Sequence, residues 1–153
     1  MTVTQTLAEL GIELPDVVPP VAAYVPAVVH GDLVYTAGQL PMSGGRLPAT
    51  GKVGGEVSAD DAKAYARQSA LNAIAAAAAV VGGVDRLTGV VKVVGFVAST
   101  PDFTGQPGVI NGASELLGDV FGEAGRHARS AVAAPVLPLD SPVEVEVIFR
   151  FAR

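Results

Sequence analysis

Two apolar stretches separated by prolines make up the C-terminal part of the chain, "ARSAVAAPVLPLDSPVEVEVIFRF", residues 128–151. In residues 143–151, valine and phenylalanine occupy alternate positions, and most positions between them are charged. Such alternation is typical of a strand with one buried face. Residues 128–134 form a second apolar run, but Arg129 stands at its head. The stretch therefore predicts two strands and raises the question of what Arg129 does.

Two interpretations of Arg129 follow from its position. It is either the last solvated residue before the strand enters the core, or it is held there to bind an anion, since a guanidinium can grip a carboxylate through two parallel hydrogen bonds. If the two strands are antiparallel neighbours, Glu144 or Glu146 would lie near Arg129 as an ion-pair partner. The pattern alone favours this ion pair. A small anionic-substrate site with a carboxylate that handles a proton stays open.

The rest of the chain alternates between strand and helix patterns. Capping and turn residues mark a short helix with Thr4 as N-cap, a hairpin turn at Gly31-Asp32, and a long helix that starts after Ser58 and ends before Gly82. The predicted elements, in chain order, are residues 4–10, 23–41, 59–81, 90–99 and 109–123, followed by the two C-terminal strands.

This order predicts an α+β fold in which two helices cover one face of a mixed β-sheet. The other face is also partly apolar and has no helix left to cover it. We expect neighbouring subunits to cover it. Residues 1–153 are expected to form a single domain, with residues 1–20 as an N-terminal extension.

Composition limits the classes of function. Half of the residues are hydrophobic and only 16% are charged, with a mean hydropathy of +0.45. The longest uninterrupted apolar run, residues 73–81, is too short for a membrane span of about 20 residues, so the excess apolar surface indicates an oligomer. A net charge of −5 argues against a nucleic-acid partner. Without a signal peptide or cysteine, a cytoplasmic location is expected.

Common site motifs are missing or incomplete. The glycine-rich stretch "GRLPATGK", residues 45–52, has one residue too many for a phosphate-binding loop and lacks the following serine or threonine. His30 and His127 are far apart in sequence and are interpreted as solvated, so no metal site is predicted. Ser130 and Ser141 lie outside any "GxSxG" nucleophile motif and are interpreted as ordinary strand and turn residues.

Two stretches resemble a known family. The stretch "AYVPAVVHGDLVYTAGQLP", residues 23–41, and the stretch "ARSAVAAPVLPLDSPVEVEVI", residues 128–148, resemble the signature regions of the RidA (YjgF/YER057c/UK114) family, and "GQPGVINGASELL" indicates a divergent branch. The resemblance covers most of residues 20–152. It implies a chorismate-mutase-like homotrimer with ligand clefts between subunits. It also implies cofactor-free hydrolysis of reactive enamines and imines, such as 2-aminoacrylate, to 2-oxoacids and ammonia.

The resemblance assigns roles to individual residues. Arg129 corresponds to the arginine that binds the substrate carboxylate, and Glu144 to the acidic residue near the hydrolytic water. Tyr24 corresponds to the tyrosine that closes the pocket, Gly38 supplies backbone at the cleft, and Asn111 matches the helix asparagine. An apolar cleft is expected to raise the pKa of Glu144.

Two positions depart from the family pattern. Ala131 stands where the family often has a cysteine that offers backbone groups to ligand and water, and Ala37 replaces a serine. Both changes make the pocket more apolar. We therefore expect an enamine/imine deaminase of the 2-iminobutanoate/2-iminopropanoate type. A non-catalytic trimer that binds small carboxylates is the alternative, and an endoribonuclease or translation inhibitor is less favoured because the chain is acidic.

Overall fold

The structure is a computed structural model that describes residues 1–153. Three short 3-10 turns accompany the main elements. The helices are α1 (Val3–Glu9), α2 (Ala59–Val81) and α3 (Gln106–Phe121). The strands are β1 (Ala27–His30), β2 (Leu33–Thr36), β3 (Leu87–Ala98), β4 (Ala128–Ala134) and β5 (Val143–Phe151).

All five strands form one mixed sheet in the order β1-β2-β5-β3-β4. Strand β4 is parallel to β3, and the chain returns between them through α3, as a parallel pair requires. The other neighbours are antiparallel. The direct pairing of the last two strands, on which an Arg129 ion pair with Glu144 or Glu146 depended, does not occur, because β3 lies between β4 and β5.

Helices α2 and α3 both cover one face of the sheet, as the sequence predicted. Their alanines and valines join the inward-facing side chains of β3 and β5 in a single core. The two helices approach closely at Gly112, where a β-carbon would collide with the carbonyl oxygen of Lys63. The mixed α+β architecture with two helices on one sheet face is confirmed.

Most helix ends and turns lie where the sequence predicted them. Ser58 accepts a hydrogen bond from the Asp61 amide, and α2 ends at Gly82 with a left-handed φ of 85°. The hairpin turns at Gly31, whose φ is 64°. The N-cap of α1, however, is Thr2 rather than Thr4, because Thr2 and Gln5 form a capping box.

Helix α3 and strand β3 begin earlier than predicted. Helix α3 starts at Gln106, with Pro107 in its first turn, where a missing amide hydrogen has no cost. Strand β3 starts at Leu87, and its pairing with β5 is irregular near Gly89. The apolar periodicity does not predict either of these earlier starts.

The sheet face opposite the helices is partly apolar, and no helix of the same chain covers it. Val28, Tyr35 and Val132 on this face are 49%, 37% and 46% exposed. Large apolar side chains left exposed on one sheet face indicate an interaction face. No helix of the structure has both the length and the hydropathy that a membrane crossing needs.

Candidate active site

The six residues that the resemblance singles out fall into two groups in the folded chain. Tyr24, Gly38 and Glu144 line one cavity of about 650 Å³. The other three residues lie elsewhere. Arg129 and Ala131 are on β4, which is an edge strand of the sheet, and Asn111 is on α3. We describe these two groups as the cavity half-site and the arginine half-site.

Glu144 is the candidate functional side chain of the cavity half-site. It lies between the buried Val143 and Val145, so the pleat of β5 turns its carboxylate to the face opposite the helices. The group is half-buried, and burial raises its pKa above the usual 4.5, with a smaller contribution from the neighbouring charge of Glu146. The raised pKa agrees with the sequence prediction for this residue.

Gly38 leaves the space that Glu144 occupies. A β-carbon at Gly38 would collide with the Glu144 carboxyl group. The backbone around Gly38 is fixed by a reciprocal pair of hydrogen bonds between Gln39 and Val145, with N–O distances of 2.8 and 3.0 Å. The glycine therefore allows this loop to lie directly against β5 at Glu144.

The N-terminal segment 15–26 forms one wall of the cavity. Tyr24 contributes its ring, which is 44% exposed, and its hydroxyl accepts a hydrogen bond from the Val21 amide at 3.3 Å. Prolines at positions 15, 19, 20 and 26 restrict the backbone of this segment. No sequence motif predicted that residues 15–21 line a cavity with Glu144, since the two are more than a hundred positions apart.

Arg129 is held on α3 by three hydrogen bonds. Its Nη1 donates to Asn111 Oδ1 at 2.8 Å and to Ser114 Oγ at 3.2 Å, and its Nη2 donates to the Pro107 carbonyl oxygen at 3.2 Å. A guanidinium has five N–H donors, so the Nε–H and one Nη2–H have no acceptor within the chain. Arg129 is thus half-buried and oriented, and it keeps donors for an external anion.

His127 supports this arrangement, which corrects its interpretation as a solvated residue. Its Nε2 lies 2.9 Å from Ser114 Oγ, and its Nδ1 lies 2.6 Å from the Gly125 carbonyl oxygen. Because the Gly125 carbonyl can only accept, Nδ1 donates to it, and in a ring with this tautomer Nε2 accepts from the Ser114 hydroxyl. His30, by contrast, is exposed at the end of β1, as predicted.

The two half-sites do not meet within one chain. Arg129 points toward α3, whereas Glu144 points to the opposite face of the sheet. In the sheet register Arg129 is paired with Val93 and Glu144 with Phe96, so β3 separates them. Strand spacing and rise place their Cα atoms roughly 14 Å apart. A single subunit therefore cannot present both groups to one small molecule.

Similarity to known proteins identifies the family. A model of the family described as "YjgF/chorismate_mutase-like, putative endoribonuclease" matches residues 4–152. The chain belongs to the YjgF/RidA family. The family membership predicted from residues 23–41 and 128–148 is confirmed.

The YjgF/RidA relatives include proteins of similar length. Protein TCP17 of Trypanosoma cruzi is 41% identical over 147 residues, which are 95% of this chain and 92% of that protein. The crystal structure of Atu1372 from Agrobacterium tumefaciens, a protein of unknown function, is 41% identical with a TM-score of 0.90, covering 99% of this chain and 94% of that one. The structure of E. coli TdcF with bound serine is 26% identical with a TM-score of 0.61, covering 90% and 93%.

Proposed function

We propose that this YjgF/RidA protein is a homotrimeric hydrolase that deaminates 2-imino acids and their enamines, without a cofactor, in clefts between subunits. Each cleft would combine the arginine half-site of one subunit with the cavity half-site of the next. Arg129 would hold the substrate carboxylate, and the partner subunit's Glu144 would handle protons at the reacting carbon. Tyr24, Gly38, Asn111 and Ala131 would shape the cleft.

The observation that carries this proposal is the division of the site. The chain builds an oriented cation that lacks an external partner and, on the opposite sheet face, a half-buried carboxylate without a cation. The uncovered apolar sheet face supplies a surface on which copies can pack. A closed ring of identical subunits joins such unlike patches through one repeated interface.

The proposed chemistry is the addition of water to a carbon–nitrogen double bond. An enamine first takes a proton on its terminal carbon and becomes the imine. The water oxygen then bonds to the imine carbon while one water proton reaches Glu144 and the nitrogen gains a proton. Glu144 then returns its proton to the nitrogen of the carbinolamine, the C–N bond breaks with its electron pair leaving on ammonia, and the hydroxyl proton passes to solvent as the carbonyl of the 2-oxoacid forms. No electron transfer is needed, so the residues only bind, orient and move protons.

The raised pKa of Glu144 suits a group that must both accept and return a proton. A carboxyl group whose pKa moves toward neutrality is a better proton donor at physiological pH than an ordinary glutamate. Fixing the substrate carboxylate on Arg129 would remove part of the orientation cost of water attack. Ala131 would still offer its backbone groups to the ligand.

The direct test is 2-oxoacid or ammonia release from 2-aminoacrylate generated in situ. We expect the wild type to exceed the uncatalysed rate and Arg129→Ala to lose roughly 100-fold. The matched control is Arg126→Ala, which removes the same charge three residues away from Arg129. The Arg126 side chain is 81% exposed and is paired only with Glu123. Equal losses in the two variants would remove Arg129 from the mechanism, and no activity in the wild type would remove the substrate.

A second candidate function is a non-catalytic trimer that binds small carboxylates. It is favoured by the serine bound to TdcF and by Ala37 and Ala131, which take polar side chains away from the pocket. Calorimetry would then show binding of a 2-oxoacid without turnover of the imine. Endoribonuclease activity, which the family description names, is less favoured because the chain carries a net charge of −5.

We also propose three features of the protein's organisation and location. Residues 1–153 form a single domain, residues 1–20 act as an N-terminal extension of it, and the protein works in the cytoplasm. The first is supported by α1, where the Thr4 amide donates to Asp85 at 2.7 Å and Leu7 is buried in the common core.

A further inference from the structure

The cavity half-site is larger than a three-carbon acid requires. Its volume is about 650 Å³, and cavities of roughly 300–1,000 Å³ usually hold drug-sized ligands. A molecule such as 2-aminoacrylate would fill a small part of it and leave most of the wall in contact with water. The space beyond Glu144 therefore fits a longer substrate.

The wall of the cavity is mainly apolar. Its side chains come from the N-terminal segment, from the loop after β2 and from the turn before β5. The large apolar members are Val17, Val18, Val21, Leu40, Met42 and Leu139. Burying a substrate methylene against such a wall is favourable, whereas a polar side chain would lose its hydration there.

The charges of the cavity fix which end of a substrate enters it. Asp16 and Glu144 are the charged residues that line it, and no lysine or arginine does. A substrate carboxylate would be repelled from this space and would stay at Arg129. The uncharged side chain is therefore the part that enters the cavity.

Leu139 has a strained backbone at the edge of this cavity. Its φ and ψ are 57° and 22°, and Asp140 has the same positive φ. The turn is held by a 3.1 Å contact between Lys52 Nζ and the Asp140 carboxylate and by a 3.0 Å hydrogen bond from the Gly51 amide to the Asp140 carbonyl oxygen. Strained residues of this kind cluster at ligand-binding positions.

Packing within the chain does not require the side chain of Leu139 to be apolar. It is 58% exposed while it lines the cavity. A glycine or asparagine would adopt the left-handed conformation more easily. A strained position that nevertheless carries a large, solvent-facing leucine is explained if the leucine contacts a ligand.

We infer that the substrate of this site is a 2-imino acid with a large apolar side chain, aliphatic or aromatic, and that Leu139 is a residue that determines this specificity. The inference rests on the proposed function, since it places the imine carbon beside Glu144 and the carboxylate on Arg129. The reaction is unchanged: water adds to the imine carbon, the C–N bond breaks, and ammonia and the corresponding 2-oxoacid are released.

The experiment compares imines produced in situ by an amino-acid oxidase from L-alanine, L-leucine and L-phenylalanine, with semicarbazide as a competing trap. We expect kcat/KM to be at least about 10-fold higher for the leucine- or phenylalanine-derived imine than for the alanine-derived imine. Leu139→Gly should lower kcat/KM for the large imines about 10-fold more than for the alanine-derived imine.

Three variants separate the role of Leu139 in specificity from an effect on stability. Leu139→Gly relieves the positive φ and should therefore keep the melting temperature within about 4 °C of the wild type. Leu139→Met retains a large apolar side chain and should restore most of the preference. Val80→Ala removes an apolar group that is 43% exposed on α2, away from the cavity, and should change neither rate.

A binding measurement separates this inference from the proposed function. Calorimetry with 4-methyl-2-oxopentanoate and with pyruvate should show tighter binding of the larger acid, and Leu139→Gly should abolish the difference. That result without turnover of any imine supports the apolar specificity and overturns the hydrolase. Turnover of the alanine-derived imine at equal or higher efficiency, with no effect of Leu139→Gly, overturns the specificity and leaves the hydrolase standing.

Discussion

The two half-sites differ in what their surroundings do to a charge. The cavity half-site desolvates the carboxylate of Glu144 and offers it no cation, so its pKa rises. The arginine half-site instead surrounds the Arg129 guanidinium with three oxygen acceptors from α3. One region destabilises its charge and the other stabilises and orients it. The contrast shows that the cavity half-site has a carboxylate but no cation, and that the arginine half-site has a cation but no carboxylate. Both half-sites belong to the same sheet.

The largest expected effect comes from mixing subunits that each lack one half. If the protein is the homotrimer that we propose, the Arg129→Ala and Glu144→Gln variants should each fall close to background activity. If they are unfolded and refolded together in equal amounts, every mixed trimer contains one cleft with both wild-type residues. Random assembly therefore restores about a quarter of wild-type activity.

The readout of the mixing experiment is imine turnover, with each variant refolded alone as the control. Activity that stays at background in the mixture, while mixed trimers are detected by native mass spectrometry, would show that the two half-sites do not share a cleft. A monomer in solution would have the same consequence.

Gly38→Ala should disturb the cavity half-site alone. The new β-carbon would displace the Glu144 carboxylate, which is the end of a flexible side chain, so the fold should tolerate the change. We expect a loss of roughly 10- to 100-fold in kcat, since small misplacements of a reacting group have effects of this size.

The control for Gly38→Ala is Gly118→Ala in α3, where a β-carbon would meet no atom within 4 Å. It should keep activity and stabilise the protein by about 0.5–1 kcal/mol, because alanine favours a helix over glycine. Unfolding in urea measures both variants. Full activity in Gly38→Ala would show that Glu144 does not act from its present position.

The arginine half-site depends on a second layer of hydrogen bonds, which His127→Ala should weaken. Without His127, Ser114 loses its acceptor and orients Arg129 less well. KM for the imine should rise about 3- to 10-fold, the usual worth of one hydrogen bond, with little change in kcat. Ser114→Ala should behave alike, and the double variant should be no worse than either single one if the residues act in series.

A simple structural role for His127 would lower the melting temperature without changing KM. Steady-state kinetics over a range of imine concentrations, together with a thermal melt, distinguishes the two roles. Additive losses in the double variant would show that His127 and Ser114 act independently of each other.

The smallest expected effect is on stability. The folded-state pKa of Glu144 is raised, so the folded protein binds this proton more tightly than the unfolded chain does. The group's stabilising contribution is complete below the usual pKa of 4.5 and is lost as the pH rises through the folded-state value. Glu144→Gln should thus be slightly more stable than the wild type at neutral pH.

Urea denaturation at several pH values tests the stability prediction. The difference between Glu144→Gln and the wild type should shrink as the pH falls toward 4.5. A difference that does not depend on pH would mean that the carboxyl group is not desolvated in the folded protein.

The elements of the fold were largely accessible from the sequence because local physics determines them. The limits of α2 follow from Ser58 and Gly82, the hairpin from Gly31, and the whole of β5 from its alternation of apolar and charged residues. Each of these signals lies within a few residues of the structure that it determines. The family resemblance likewise identified residues by local motifs.

The tertiary structure alone decided which residues share a site. Strand β3 lies between β4 and β5, and the pleat of the strands turns Glu144 and Arg129 to opposite faces of the sheet. No local sequence pattern predicts this arrangement. His127 is hydrogen-bonded to Ser114, and residues 15–21 line the same cavity as Glu144, because the fold brings distant parts of the chain together. The sequence by itself determined the elements, the core-facing positions and the family, since those depend on neighbours along the chain. The pairing of distant groups depends on how the strands are ordered in the sheet, and that order is set by packing of the whole chain.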